Sequence, residues 1–282
     1  MKSLYESILG STKSGVASKI YEWWDSNPNF KGKGKYTVKS INGNFFIVMD
    51  DFENQPRQTI VDISKEDLAT MPKQLAGIYY TYYKQKGKEG IMVPVDLHFL
   101  YCHDCKIDLS NWDMSLGPIS RLDIHILIMF SSPNVELVGL PKYRSEFNVQ
   151  FSHCTDIKSI RDLNAPKCEI EFGNDNDYTS INYKDIKNCT LREFFVNKAN
   201  ITRSTKKYNA NIEFYKRVGR KYVIDPFYSE CIKELLKNNN IEKIRYQSSE
   251  SLDIKTLYGR SAELVPYKTA NGEETFAIVP IN

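Results

Sequence analysis

The chain has 282 residues, 41% apolar and 26% charged, with a formal net charge of +3. That composition fits one or two globular domains and excludes a chain dominated by disorder. The near-balanced charge gives no general attraction to polyanions, no apolar run reaches bilayer-spanning length, and six cysteines are too few for a disulfide-dense scaffold.

Leu4 and Ile8 lie four apart, and Val16, Ile20 and Trp23 or Trp24 recur at helical spacing up to Asn27-Pro28, which ends the pattern. The tryptophan pair is expected in a packed face rather than as a partner anchor. The first 25 residues carry Glu6, Glu22 and Asp25 and lack a continuous apolar core, so secretion through a signal peptide is not expected. After the basic link Lys31 to Lys35, residues 36–41 and 44–49 form a hairpin about Asn42-Gly43, a pair suited to a type I′ turn. A strand at 59–63 follows. Ser64 and Asp67 then resemble a capping box opening a short helix, and residues 78–83 read as another strand.

From there a repeat emerges. Phe130, Phe151 and Phe172 are 21 residues apart, and Phe194 and Phe214 follow at 22 and 20. The first three each end a short apolar or alternating run. Small or polar residues come next, and then a second aliphatic position such as Val135 and Leu137, Ile157 and Ile160, or Ile181. A single unit of this kind cannot bury its apolar face, whereas a stack builds a continuous core. A cysteine or asparagine just past the strand can satisfy backbone groups in the turn. A β-sandwich is the rival, but it requires hairpin signals every 8 to 12 residues or so, and those are weak here. The expected fold class is α+β, with an irregular leucine-rich-repeat-like β-solenoid at 91–222. It is flanked by small α+β caps at 1–90 and 223–282.

The unit Phe151-x-x-Cys154-x-x-Ile157-x-x-Ile160, followed by Ala165-Pro-Lys167, resembles the irregular leucine-rich-like repeats of tailed bacteriophages infecting gut Bacteroidales. The opening Leu4-Tyr-Glu-Ser-Ile-Leu9 is similar to the start of many proteins from such phages. The resemblance covers about half of the chain, and this sequence departs from it in having few leucines and one clean Ala-Pro-Lys turn. It implies a non-enzymatic protein of the infected bacterial cytoplasm or the virion, with another protein as partner, and it supplies no catalytic residues.

Towards the carboxy terminus, Asp225-Pro226 is a good helix start, with Tyr228, Ile232 and Leu235 or Leu236 on one face. A strand at 241–246 and a hairpin about Asn271-Gly272 complete the expected elements.

Candidate chemistry is sparse. His98, Cys102, His103 and Cys105 could supply half of a tetrahedral zinc site, but no second close pair completes it, and a solenoid turn accounts for them more simply. As a redox pair, Cys102 and Cys105 lack the expected helix start. There is no nucleophile elbow and no phosphate-binding loop, so neither catalysis nor a cofactor is expected. The remaining signal is electrostatic. Lys198, Arg203, Lys206, Lys207, Lys216, Arg217, Arg220 and Lys221 face a single acid, Glu213, and are interleaved with Tyr208, Tyr215 and Tyr222. Such a stretch could bind single-stranded nucleic acid. The alternative, a solvated edge with tyrosines in the core, is the expectation adopted.

Overall fold

A computed structural model describes residues 11–27, 35–50, 60–82, 90–117, 124–129, 134–172, 181–196, 213–246 and 251–281. The fold is mixed α+β and mostly sheet.

Helix α1 (Ser11–Ser26) buries Ile20, Trp23 and Trp24, and the Trp23 indole Nε1 donates to the Asp67 carbonyl at 3.0 Å. The tryptophans are therefore core residues. The first sheet orders strands Lys35–Ile41, Asn44–Asp50, Leu75–Tyr82 and Ile91–Pro94. Its hairpin turns at Asn42 (φ 52°) and Gly43 (φ 86°), the two left-handed positions that a type I′ turn needs. Helix α2 (Lys65–Thr70) opens on the capping box of Ser64 and Asp67.

The long sheet holds eight strands. In spatial order they are Leu252–Asp253, Asn240–Tyr246, Thr190–Val196, Asn164–Phe172, Phe147–Ser152, Ile124–Met129, Asp96–Leu100 and Ile60–Ile63. Every pair is parallel except the first, which is antiparallel. This sheet extends past 91–222 at both ends, taking one strand from the first expected cap and two from the second.

Parallel neighbours need a crossover connection. Here four successive crossovers each pass through a strand of a second, all-parallel sheet: Lys106–Asp108, Glu136–Gly139, Ser159–Arg161 and Ile186–Lys187. Two apolar rows result. Ile63, Phe99, Ile128, Phe151 and Phe172 face one another along the long sheet. Ile107, Leu137, Ile160 and Ile186 do so along the short one. All of these side chains are buried in one core, where Phe151 and Phe172 stack at 5.6 Å.

The register corrects the sequence reading. Ile128, not Phe130, stands opposite Phe151, and Phe194 stands opposite Ile170 rather than continuing the Phe172 row. Phe130 itself lies outside the described residues. From Ile63 to Phe99, Ile128, Phe151 and Phe172 the steps are 36, 29, 23 and 21 residues, so a 21-residue unit holds for one step alone. The strands are conserved in pairing while the corners vary in length.

The corners have their own order. Asp104 (φ 48°) and Asn134 (φ 74°) adopt left-handed backbone, as do Asp162 (φ 59°) and Asn188 (φ 57°). Asparagine and aspartate tolerate this region best among residues with a Cβ. Each asparagine donates from Nδ2 to the aspartate of another unit, at 2.7 Å for Asn134 to Asp104 and 3.0 Å for Asn188 to Asp162.

The carboxy-terminal sheet is antiparallel, ordered Tyr215–Val218, Lys221–Ile224, Glu274–Pro280, Arg260–Lys268 and Thr256–Leu257. Its Arg260–Lys268/Glu274–Pro280 hairpin turns through a five-residue loop rather than a two-residue one, with Thr269 N–H donating to the Glu273 carbonyl. Helix α3 (Pro226–Asn238), capped by Asp225, packs on Ile186–Lys187 and on Glu274–Pro280.

Candidate binding surfaces

The cysteine and histidine cluster does not assemble a ligand set. Cys102 is buried, and its thiol points to the Ile63 and Leu100 carbonyls at 4.0 and 3.6 Å. His98 projects from the opposite face of its strand to Asp62, 3.5 Å away. His103 faces outwards near Lys65 and Asp104. Among the described residues, no three His, Cys, Asp or Glu side chains converge as a metal ion would require.

The cysteines instead follow one local rule. Cys102, Cys154 and Cys189 each come three residues after an inward row residue, namely Phe99, Phe151 and Ile186. Each thiol points to the carbonyl of the residue paired with that row member: Ile63 at 4.0 Å, Ile128 at 3.1 Å and Ile160 at 3.6 Å. In the next unit Asn239 takes the position. Its Nδ2 donates to the Ile186 carbonyl at 2.9 Å, while its Oδ1 accepts from the Cys189 amide at 2.9 Å. Burial raises the Cys189 thiol to about 11 and that of Cys231 to about 12. Cys105 is different: it is half-buried, and a hydrogen bond from Cys102 holds its thiol below the usual range, aided by Lys65.

The outer face of the long sheet carries a second kind of row. His125, Asn148, Glu169, Glu193 and Lys243 face one another across five parallel strands. Beside them run Asp62, His98, Leu127, Gln150 and Glu171. These side chains are linked: Asn148 Nδ2 donates to Glu171 at 2.9 Å, Arg192 lies 3.5 Å from Glu169 and also pairs with Glu146, and Arg245 sits 2.9 Å from the buried Glu193. Ser251 adds a hydrogen bond to Glu193 at 2.8 Å. Burial raises the Glu169 carboxyl above the usual range, and the Glu193 charge adds to it. The face is therefore polar, half-exposed and charge-patterned.

A third surface lies on the carboxy-terminal sheet. Of the eight basic residues read from the sequence, Lys198, Arg203, Lys206 and Lys207 lie outside the described residues. Lys216, Arg217, Arg220 and Lys221 stand on and around the tight turn between Tyr215–Val218 and Lys221–Ile224, all exposed. Lys216 is 3.9 Å from Glu213, and Lys221 Nζ is 6.0 Å from the Tyr267 ring. Cross-strand partners share a face, so the pairing places Arg217, Tyr222, Ile278, Pro280, Ala262 and Arg260 on one side of the sheet. There Arg217, Arg220, Tyr258, Arg260 and Pro280 line an open cleft of about 330 Å³. The Arg217 guanidinium is 5.5 Å from the Tyr258 ring centroid, and Tyr222 stacks against that ring at 6.2 Å. Tyr258 is 50% exposed and held at φ 53° in the turn before Gly259. Tyr258 and Arg260 were missed by sequence reading. Their signal, a Tyr-Gly turn flanked by an arginine, gains meaning only when the strands pair.

No helix among the described residues is long and apolar enough to cross a membrane. The chain matches no family model, no curated protein and no solved structure at a significant level.

Proposed function

We propose that the protein is a non-enzymatic interaction or structural protein whose middle is an irregular leucine-rich-repeat-like solenoid. Its origin is a tailed bacteriophage, and it acts in the infected bacterial cytoplasm and as a component of the particle. The observation that carries this reading is the series of crossovers through the short sheet. Each takes the chain from one parallel strand to the next, and three of the four have a buried cysteine at a corner (Cys102, Cys154 and Cys189), which is how solenoid units stack. Ile160-x-x-Leu163-x-Ala165-x-x-Cys168-x-Ile170 has the spacing of a leucine-rich repeat, with every named side chain buried. Such stacking turns one polar position per unit into a row, and the outer rows from His125 to Lys243 and from Asp62 to Glu171 are the surface offered to a partner protein. The phage origin rests on the sequence resemblance.

A photo-crosslinking residue placed at Gln150 or Leu127, on the outer face, tests the reading in infected cells. Crosslinks to one phage protein, together with recovery of the chain from purified particles, are the expected result. Crosslinks absent at both positions, with consistent absence from particles, would overturn it.

A further inference from the structure

We propose that the cleft formed by Arg217, Arg220, Arg260 and Tyr258 binds single-stranded nucleic acid, its guanidinium groups holding backbone phosphates and Tyr258 stacking on a base. This is independent of the outer-face reading, since it uses a different sheet and different chemistry. Three observations carry it. First, three arginines from two separate chain segments converge on one cleft that no carboxylate lines among the described residues. Among those residues none of the three forms an ion pair. Like charges gathered without counter-charges repel one another, so the arrangement gains most when an anion enters. Second, the groups are arginines, whose planar forks grip phosphate oxygens bidentately, whereas a lysine offers only a point charge. Third, Tyr258 is half exposed although its neighbours Leu257 and Ile254 are buried, and its left-handed turn presents the ring at the cleft wall.

The volume of about 330 Å³ and the open mouth suit one nucleotide with its strand continuing across the surface. Double-stranded DNA would hide its base faces from Tyr258. A phosphopeptide would use the arginines without using the tyrosine ring. Lys216 and Lys221 stand on the opposite side of the same hairpin, paired with Val223 and Val218, so the phosphate contacts fall to the three arginines.

The test uses the full chain and a fluorescent oligothymidylate, with binding followed by anisotropy over a salt series. Three phosphate contacts predict a log–log salt slope of about −2. Replacing Arg217, Arg220 and Arg260 together by Gln should bring that slope towards zero. Tyr258→Leu should weaken binding roughly tenfold or more while leaving the slope unchanged. All four positions are exposed, and an unchanged thermal midpoint verifies that the variants fold. A conservative Arg260→Lys variant should keep most of the slope. No binding at low salt overturns the proposal. So does a triple variant with unaltered slope, which would locate the phosphate contacts elsewhere. Equal competition by a phosphopeptide, or no effect of Tyr258→Leu, would also overturn it in favour of a bare phosphate site.

Discussion

At the scale of single residues, the thiols and amides of the corners decide local stability. Cys105 is half-buried with a lowered thiol, while the other five cysteines are buried. Thiolate, not thiol, is the reactive form. A thiol reagent at mildly alkaline pH should therefore label Cys105 first and leave the rest until unfolding, as peptide mapping would reveal. Fast labelling of Cys154 or Cys189 would contradict their corner role. Asn239→Ala removes the partners of both the Ile186 carbonyl and the Cys189 amide. It should cost roughly 1–3 kcal/mol in urea unfolding. Asn239→Asp, which keeps the acceptor for the Cys189 amide, should cost less. The cysteines just past a strand were legible in the sequence as turn residues, whereas Asn239, which follows helix α3, carried no such signal. The partners of all of them were hidden, because each carbonyl belongs to a neighbouring unit at a separation of 26 to 53 residues.

At the scale of elements, the capped and hairpin pieces were the most readable. Asn42-Gly43, Ser64 with Asp67, and Asp225-Pro226 each act within a few residues, and the structure uses all three as expected. Charge pairing across short-sheet strands was not readable. Lys158 lies 2.5 Å from Glu136 and Arg161 lies 3.3 Å from it. The hydrogen bond from Lys158, followed by that from Arg161, holds the Glu136 carboxyl below its usual range. A depressed carboxylate contributes stability above its unfolded pKa, and that contribution disappears as pH falls through the folded value. Glu136→Gln should therefore cost up to about 1 kcal/mol near neutral pH. The difference from the parent protein should vanish in acid, as paired denaturation curves at the two pH values would show. A packing test comes from the same strand. A Cβ at Gly139 would lie 2.3 Å from Asp108 Oδ1 and 2.9 Å from the Ser110 backbone nitrogen. Gly139→Ala should then lower stability by roughly 1–3 kcal/mol through crowding.

At the scale of the whole molecule, the parallel ladder is what ties these pieces together. The sequence period was visible where corners are short, as between Phe151 and Phe172. It failed where they lengthen. The step from Phe194 to its partner Ile244 spans 50 residues and encloses a hairpin and helix α3, so no periodicity could show it. The arginine cleft was hidden for a related reason: Arg217 and Arg260 meet only through antiparallel pairing via Glu274–Pro280. The outer face depends on register, since a slip of one residue would turn the polar row inwards. Paired cysteines read that register directly. Gln150 and Glu171 are opposite one another on adjacent parallel strands, both half-exposed on the outer face. Neighbouring strands lie about 4.8 Å apart, within disulfide reach. Under mild oxidation, Gln150→Cys with Glu171→Cys should give the intramolecular disulfide in peptide mapping, and Gln150→Cys with Glu169→Cys should not. Crosslinking of the second pair in place of the first would contradict the ladder and the stacked surface built on it.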